Sequence, residues 1–378
     1  MRGLSEEIPK KGRHIKMISE TLAELTAFSN RYGADGNCVI AGGGNTSAKE
    51  GGVLYVKASG TALATIGPDG FVRMDREKLG RILDKKYPEG EKEREAAVLA
   101  DMLDARVPGS GGRPSVEAML HGLFPQKYVL HIHPSLVNGL TCSEDYFRVG
   151  RMLFPEAVFT DESKPGYLLA VLCRGALDGY RAEHGRDAEL LFLRNHGVFF
   201  ASDDVSGLDR LFSAVTGTLD GLIRKRPDSI QVGGEDRFCA VLTALGAANG
   251  RPCVTMLSGD DIASWDPECG SPTPDHIVYA GARGLVFDRE PGPAALSASA
   301  EEFTVRTGSF PRTVAVKGAA VYVCGKDPAD AARIADIVKD HVKITVYAGN
   351  FGGYHPMSPW LREFIVHWEA ESYRSSKA

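Results

Sequence analysis

Val129-Leu130-His131-Ile132-His133-Pro134 reads as an apolar strand that ends in a pair of histidines. Residues two apart in a strand point to the same face, so His131 and His133 present two imidazoles on one side. Neutral imidazole is a good ligand for zinc and similar divalent ions, although a strand can also carry two unrelated histidines. A second apolar stretch, Leu190-Leu191-Phe192-Leu193-Arg194-Asn195-His196-Gly197, delivers His196 into a glycine turn at a strand's end. Three histidines with one position left open is the arrangement of a catalytic zinc, in contrast to a closed structural site. Taken alone, His196 also fits a turn histidine without a metal role.

Outward from these strands, Arg113-Pro114-Ser115-Val116-Glu117-Ala118-Met119-Leu120-His121 reads as a helix start. Glu117 in a first turn favours the helix dipole; its alternative is a carboxylate aimed at the metal as ligand or general base. His121, one turn on, is read as exposed or as lying behind the site. The segment Gly42-Gly43-Gly44-Asn45-Thr46-Ser47 offers backbone N–H groups without side-chain obstruction, plus hydroxyl and amide donors, which suits a phosphate or another anion. It is neither a Walker A loop nor a dinucleotide fingerprint, and a glycine-rich hairpin is its plain reading. Ala58-Ser59-Gly60-Thr61 is a second donor-rich turn.

The 378 residues are enough for about two domains at about 150 residues each. Forty-three per cent hydrophobic and 25% charged residues describe an ordinary globular chain, and 43 glycines predict many tight turns. The net charge of −5 argues against a nucleic-acid partner. No apolar run approaches the ~18 residues of a membrane span, and the charged start MRGLSEEIPKKGRHIK has no apolar signal core. Seven cysteines, an odd number without a C-x-x-C pair, read as reduced thiols and a cytoplasmic location.

Apolar periodicity predicts helices over 15–32, 75–86, 93–105, 115–123, 166–183 and 203–225, with strands at 38–41, 53–56, 62–66, 127–133, 188–193 and 197–201. This alternation predicts a layered α/β catalytic domain over 1–226. A linker follows, then a C-terminal α/β lobe over 235–378. That lobe has strands at 252–256, 276–279, 312–316 and 320–324, helices at 327–345 and 359–371, and a loop from Gly281 to Ala300. An echo links the halves. Val198-Phe199-Phe200-Ala201-Ser202-Asp203-Asp204 leads to Arg210, as Val321-Tyr322-Val323-Cys324-Gly325-Lys326-Asp327 leads to Arg333. Any strand-to-helix turn has this look; a duplicated domain is the sharper reading. In its register Asn195-His196-Gly197 falls opposite Gly318-Ala319-Ala320, so the second copy would be degenerate and metal-free.

Over residues 20–225 these motifs resemble the class II aldolase/adducin family. The resemblance is carried by Gly44-Asn45-x-Ser47, Ser59-Gly60, Pro114-Ser115-x-Glu117, His131-x-His133 and Asn195-His196-Gly197, in order. The length and C-terminal half look most like the aldolase portion of bacterial rhamnulose-1-phosphate aldolase/alcohol dehydrogenase proteins. The resemblance implies a three-layer α/β/α fold with a mostly antiparallel central sheet and a divalent metal, usually zinc, on the three histidines. Glu117 matches the family's acid/base, and Gly44, Asn45, Ser47, Ser59, Gly60 and Ser115 match positions that hold substrate phosphate. Two departures stand out. Val116 replaces a second hydroxyl residue, and Glu162 stands where small aldolases carry a proton-donating Tyr, leaving Asp161 or Glu162 as substitutes.

The ligand set suits a ketose that chelates the metal through adjacent carbonyl and hydroxyl oxygens, giving an enediolate when the C–C bond breaks. The expectation is a metal-dependent lyase that cleaves a ketose phosphate, rhamnulose-1-phosphate-like, to dihydroxyacetone phosphate and an aldehyde. Its alternatives are a 4-epimerase, decarboxylase or dehydratase on the same chemistry, or a non-catalytic adducin-like interaction domain. A homo-oligomer, dimer or tetramer, is expected from the resemblance and from Met357, Trp360, Leu361, Phe364, Ile365 and Trp368 at helical spacing. That stripe fits a subunit contact or packing within the chain.

Overall fold

A computed structural model describes residues 18–234 and 236–368. In chain order the first part has α1 (Glu20–Gly33), β1 (Asn45–Glu50), β2 (Val53–Lys57), β3 (Phe71–Asp75), α2 (Arg76–Ile82), α3 (Glu91–Asp104), α4 (Ala118–Leu123), β4 (Tyr128–Ile132), α5 (Ser135–Thr141), α6 (Tyr146–Leu153), β5 (Val158–Thr160), α7 (Tyr167–His184), β6 (Leu190–Leu193), β7 (Gly197–Ser202) and α8 (Val205–Asp220). The second part has β8 (Gln231–Val232), α9 (Arg237–Ala248), β9 (Cys253–Ser258), α10 (Asp260–Ser264), α11 (Pro274–Ala280), β10 (Leu285–Phe287), α12 (Pro293–Thr307), β11 (Thr313–Val316), β12 (Ala320–Gly325), α13 (Pro328–Ala348) and α14 (Pro359–His367). The first helix starts where Ser19 caps Leu22 N and buries Leu25, Phe28 and Tyr32. Residues 15–17 and 369–371 of the expected first and last helices lie outside the described residues.

The first seven strands form one sheet in the order β3-β2-β1-β4-β7-β6-β5, antiparallel except for β5 beside β6. Helices α2, α3, α4 and α7 cover one face, and α1, α5, α6 and α8 the other, each over its own apolar cluster. This is a three-layer α/β/α arrangement with a mostly antiparallel central sheet, as the resemblance implies.

Two expected strands are absent. Cys38–Ala41 is a turn with Ala41 at φ 52°, and Ala62–Ile66 holds a single 3-10 turn. Their apolar side chains, Leu63 and Ile66, pack beneath α1, where Asn30 donates to the carbonyls of both. A short apolar run cannot declare its own secondary structure. The sheet instead uses β3 and β1. The latter is written in polar residues, Asn45-Thr46-Ser47-Ala48-Lys49, all buried and partnered inside the protein: Thr46 with Ser29 at 2.7 Å, Ser47 with His121 at 2.8 Å, and Lys49 Nζ with the Gln126 carbonyl at 2.9 Å.

The second sheet runs β10-β11-β12-β9-β8. From β8 its successive pairs are antiparallel, antiparallel, antiparallel and parallel. The first sheet reads the same from β1 through β4, β7, β6 and β5. The hairpins agree residue for residue: Leu193 faces Gly197 as Val316 faces Ala320, with Asn195 (φ 52°) and Gly318 (φ 73°) both left-handed between them. Phe199 therefore matches Tyr322. Their partners, His131 and Met256, match as well. The positions of His131, His133 and His196 fall on Met256, Ser258 and Ala319. Two expectations fail in this lobe. Residues 276–279 are helical in α11, begun by Pro274, and the expected loop 281–300 contains β10 and the start of α12.

The second lobe packs on the first through α13 against α5. Asn195 Nδ2 donates across the boundary to the carbonyls of Pro272 (3.1 Å) and His355 (2.8 Å). All seven cysteines are free, and no described helix is long and apolar enough to cross a membrane.

Candidate metal centre

His131 sits in β4 between β1 and β7, opposite Asn45 on one side and Phe199 on the other, and stacks on the Phe199 ring at 4.0 Å. His133 follows one residue past the strand and turns the same way, so the two Nε2 atoms are 3.0 Å apart. His196, from the β6–β7 turn, brings its Nε2 to 3.3 Å from Glu117 Oε1, which lies equally far from His131 Nε2. Ligand atoms from all four residues lie within 4.8 Å of one another. On a tetrahedral zinc with bonds of ~2.0–2.1 Å, ligand atoms stand about 3.3 Å apart, so the spacing fits one ion.

The outer nitrogens fit too. His131 Nδ1 is 3.0 Å from the Val198 carbonyl and His133 Nδ1 is 2.7 Å from Asp275 Oδ2. With the proton on Nδ1, each Nε2 lone pair faces the centre. Burial holds the His131 imidazole down to about 4, against the opposing pull of Glu117. It is therefore neutral, as a ligand must be.

Glu117 does not act as a helix-cap residue. It precedes α4 and makes no side-chain cap bond, while Ser115 Oγ accepts the Glu117 N–H at 3.2 Å and fixes the turn. Asn45 Nδ2 donates to Glu117 Oε2 at 3.2 Å, leaving Oε1 toward the imidazoles.

A cleft beside these groups is lined by Gly44, Lys57, Ser59, Gly60, Ser115 and Glu117. Asn45 and Ser47 are not among its lining residues. They sit in β1, where Asn45 serves Glu117 and the Ser47 hydroxyl faces the buried His121 ring. The expected free N–H groups of the glycine loop are partly used: Gly42 N donates to Tyr279 Oη at 3.3 Å and Gly43 N to the Ile40 carbonyl at 3.0 Å. Asp161 and Glu162 do not line the cleft. Asp161 is exposed with Arg194 at 3.9 Å, and Glu162 accepts the Ser358 N–H at 2.9 Å.

Sequence reasoning missed Lys57 and Asp275. Lys57 is buried at the end of β2, its Nζ 3.0 Å from the Gly42 carbonyl; a lysine directly before a Ser-Gly turn was its available signal. Asp275 looks in the sequence like any acidic residue at a helix start. The C-terminal stripe packs within the chain: Met357, Leu361, Ile365 and Trp368 bury against Ile277 and Val116, and Trp360 is exposed.

Residues 23–208 match the family model described as Class II Aldolase and Adducin N-terminal domain. A curated protein of Bacillus subtilis (strain 168) named Uncharacterized oxidoreductase YuxG is 23% identical over 307 residues, which cover 72% of this chain and 43% of that protein. The chain thus spans less than half the length of that relative. Among solved structures, the N-terminal class II aldolase domain of a conserved protein from Thermoplasma acidophilum is 24% identical, covering 58% of this chain and 100% of that one, with a TM-score of 0.46. A sugar-phosphate aldolase from Thermotoga maritima is 16% identical, covering 55% and 97%, with a TM-score of 0.38.

Proposed function

Residues 23–208 belong to the class II aldolase and adducin family, and on that premise we propose that the chain is a metal-dependent aldolase. In this reading it cleaves a ketose phosphate of the rhamnulose-1-phosphate type to dihydroxyacetone phosphate and an aldehyde. The observation that carries the reading is the convergence of three imidazoles and a carboxylate beside a cleft with one buried lysine and two serines. His131, His133 and His196 would hold zinc or a similar divalent ion. When bound, that ion supplies Lewis-acid polarisation of adjacent carbonyl and hydroxyl oxygens.

The chain's own groups do the rest. Lys57, with the hydroxyls of Ser59 and Ser115, supplies charge and donors for a phosphate. Gly44 and Gly60, both at positive φ, keep that wall free of side chains. Glu117 takes the proton from the hydroxyl that becomes the aldehyde carbonyl as the C–C bond breaks and returns it to the enediolate carbon, and Asn45 holds its other oxygen. An adducin-like scaffold has no reason to keep this donor set. The catalytic unit is assigned to residues 1–226 and the second lobe to 235–378. A closed homo-oligomer, dimer or tetramer, is part of the proposal, and a monomer of full activity in light scattering would remove that part.

The test is retro-aldol cleavage of a panel of ketose 1-phosphates, with and without chelator, with product detection. Chelator-sensitive release of dihydroxyacetone phosphate is expected. Turnover without C–C cleavage would transfer the site to an epimerase, decarboxylase or dehydratase.

A further inference from the structure

We infer that the second lobe, where Met256, Ser258 and Ala319 stand at the register positions of the three histidines, supplies a positioning residue to the centre of the first: Asp275 fixes His133 as a ligand across the lobe boundary. The inference rests on the metal reading above.

His131 and His133 are held differently. The outer nitrogen of His131 meets a carbonyl of its own sheet, Val198. His133 has already left β4, and its Nδ1 faces the Asp275 carboxylate at 2.7 Å, with both side chains largely buried. A hydrogen bond from Nδ1–H to a carboxylate is charge-assisted. It fixes ring orientation and tautomer and strengthens Nε2 as a donor to a metal.

The surroundings are built for this contact. A Cβ on Gly43 would stand 2.7 Å from Asp275 Oδ2, and one on Gly42 2.7 Å from Tyr279 Oη. The glycine-rich loop is thus bare where α11 of the second lobe comes down on it. That helix is anchored from two sides. Arg312 Nη1 binds its last carbonyls, those of Val278 (2.7 Å) and Tyr279 (2.9 Å), and the α14 stripe packs behind Ile277. Among the described residues the one metal-type cluster is that of the first lobe. The second copy, with Met256, Ser258 and Ala319 at the ligand positions, gives an outer support in place of a site.

The experiment uses the full chain and zinc alone. Affinity is measured by chelator competition and release by stopped-flow for the wild type, Asp275→Asn, Asp275→Ala and the control Asp340→Asn. Asp340 is a buried carboxylate beside Ser135 and His276 that touches no ligand of the centre. Thermal unfolding of the metal-free proteins is recorded in parallel. Asp275→Ala should bind zinc about 10–100-fold more weakly and release it correspondingly faster. Asp275→Asn, which keeps an acceptor but loses the charge, should fall between. Asp340→Asn should shift unfolding and leave affinity alone. Gly43→Ala, whose Cβ would crowd the Asp275 carboxylate, should act in the direction of Asp275→Ala with both residues of the pair unchanged. Zinc affinity within twofold of wild type in both Asp275 variants, with lowered thermal stability, would make Asp275 a docking residue and overturn the inference. A wild type that binds no zinc would overturn the metal reading, and this inference with it.

Discussion

Opposite Phe199 in the first sheet stands His131; opposite Tyr322, at the same place in the second, stands Met256. The two sheets share strand order, pairing sense and hairpin register, yet one gathers imidazoles at its strand ends and the other does not. The shared features rest on apolar burial, such as that of Leu193, Val198 and Phe200 in one and Val316, Val321 and Val323 in the other. Nothing in that burial requires a histidine at three strand-end positions, so the chemistry can leave while the fold stays. In the second lobe those positions hold Met256, Ser258 and Ala319, and its helix α11 lies over the glycine loop of the first.

The comparison breaks most sharply if the first lobe is made to copy the second. His131→Met, His133→Ser and His196→Ala together should leave folding intact by circular dichroism and remove bound metal by elemental analysis. Losing several kcal/mol of transition-state stabilisation should cut activity roughly a thousandfold or more. Full metal occupancy in this variant would mean that the ligands lie elsewhere. Next in size is Glu117→Gln, which should keep metal and fold and lower kcat by about 10²–10⁴-fold; a wild-type rate would reduce Glu117 to a neighbour of the imidazoles.

A smaller effect sharpens the contrast on the cleft side. Lys57→Met should raise KM for a phosphorylated ketose by roughly 10–100-fold, the loss of one charged hydrogen bond, and change little for the unphosphorylated sugar. Equal losses on both substrates would take Lys57 out of anion binding. The smallest effect is on stability. The His131 ring is held at about 4 against an ordinary 6.5. Between those values the unfolded chain takes up a proton that the folded one refuses, so stability of the metal-free protein should rise with pH across that window. His131→Met, copying Met256, should flatten the rise in urea midpoints; an unchanged slope would assign it to other groups.

Much of this was legible in the chain. The long helices and the strands β4, β6 and β7 announce themselves by apolar periodicity. The pairing of His131 with His133, and the arrival of His196 at a turn, follow from strand geometry alone. The echo between residues 198–210 and 321–333 carried the register later seen in the two hairpins. The polar strand β1 was not legible, because Thr46, Ser47 and Lys49 find their partners on elements distant in sequence. Nor was the sense of Val116, which packs on the α14 stripe.

By itself, then, the sequence determined the layered α/β class, the strand ends that hold three histidines, and the register in which Ala319 stands opposite His196. These are local properties, set by side-chain period and turn chemistry over a few residues. Only the tertiary structure decided that Glu117 turns from the helix dipole to the imidazoles, that Lys57 lines the cleft while Asp161 and Glu162 do not, and that Asp275, 142 residues from His133 along the chain, stands 2.7 Å from its ring. Each depends on contacts between elements distant in the chain, and packing is fixed by long-range burial that no local pattern encodes.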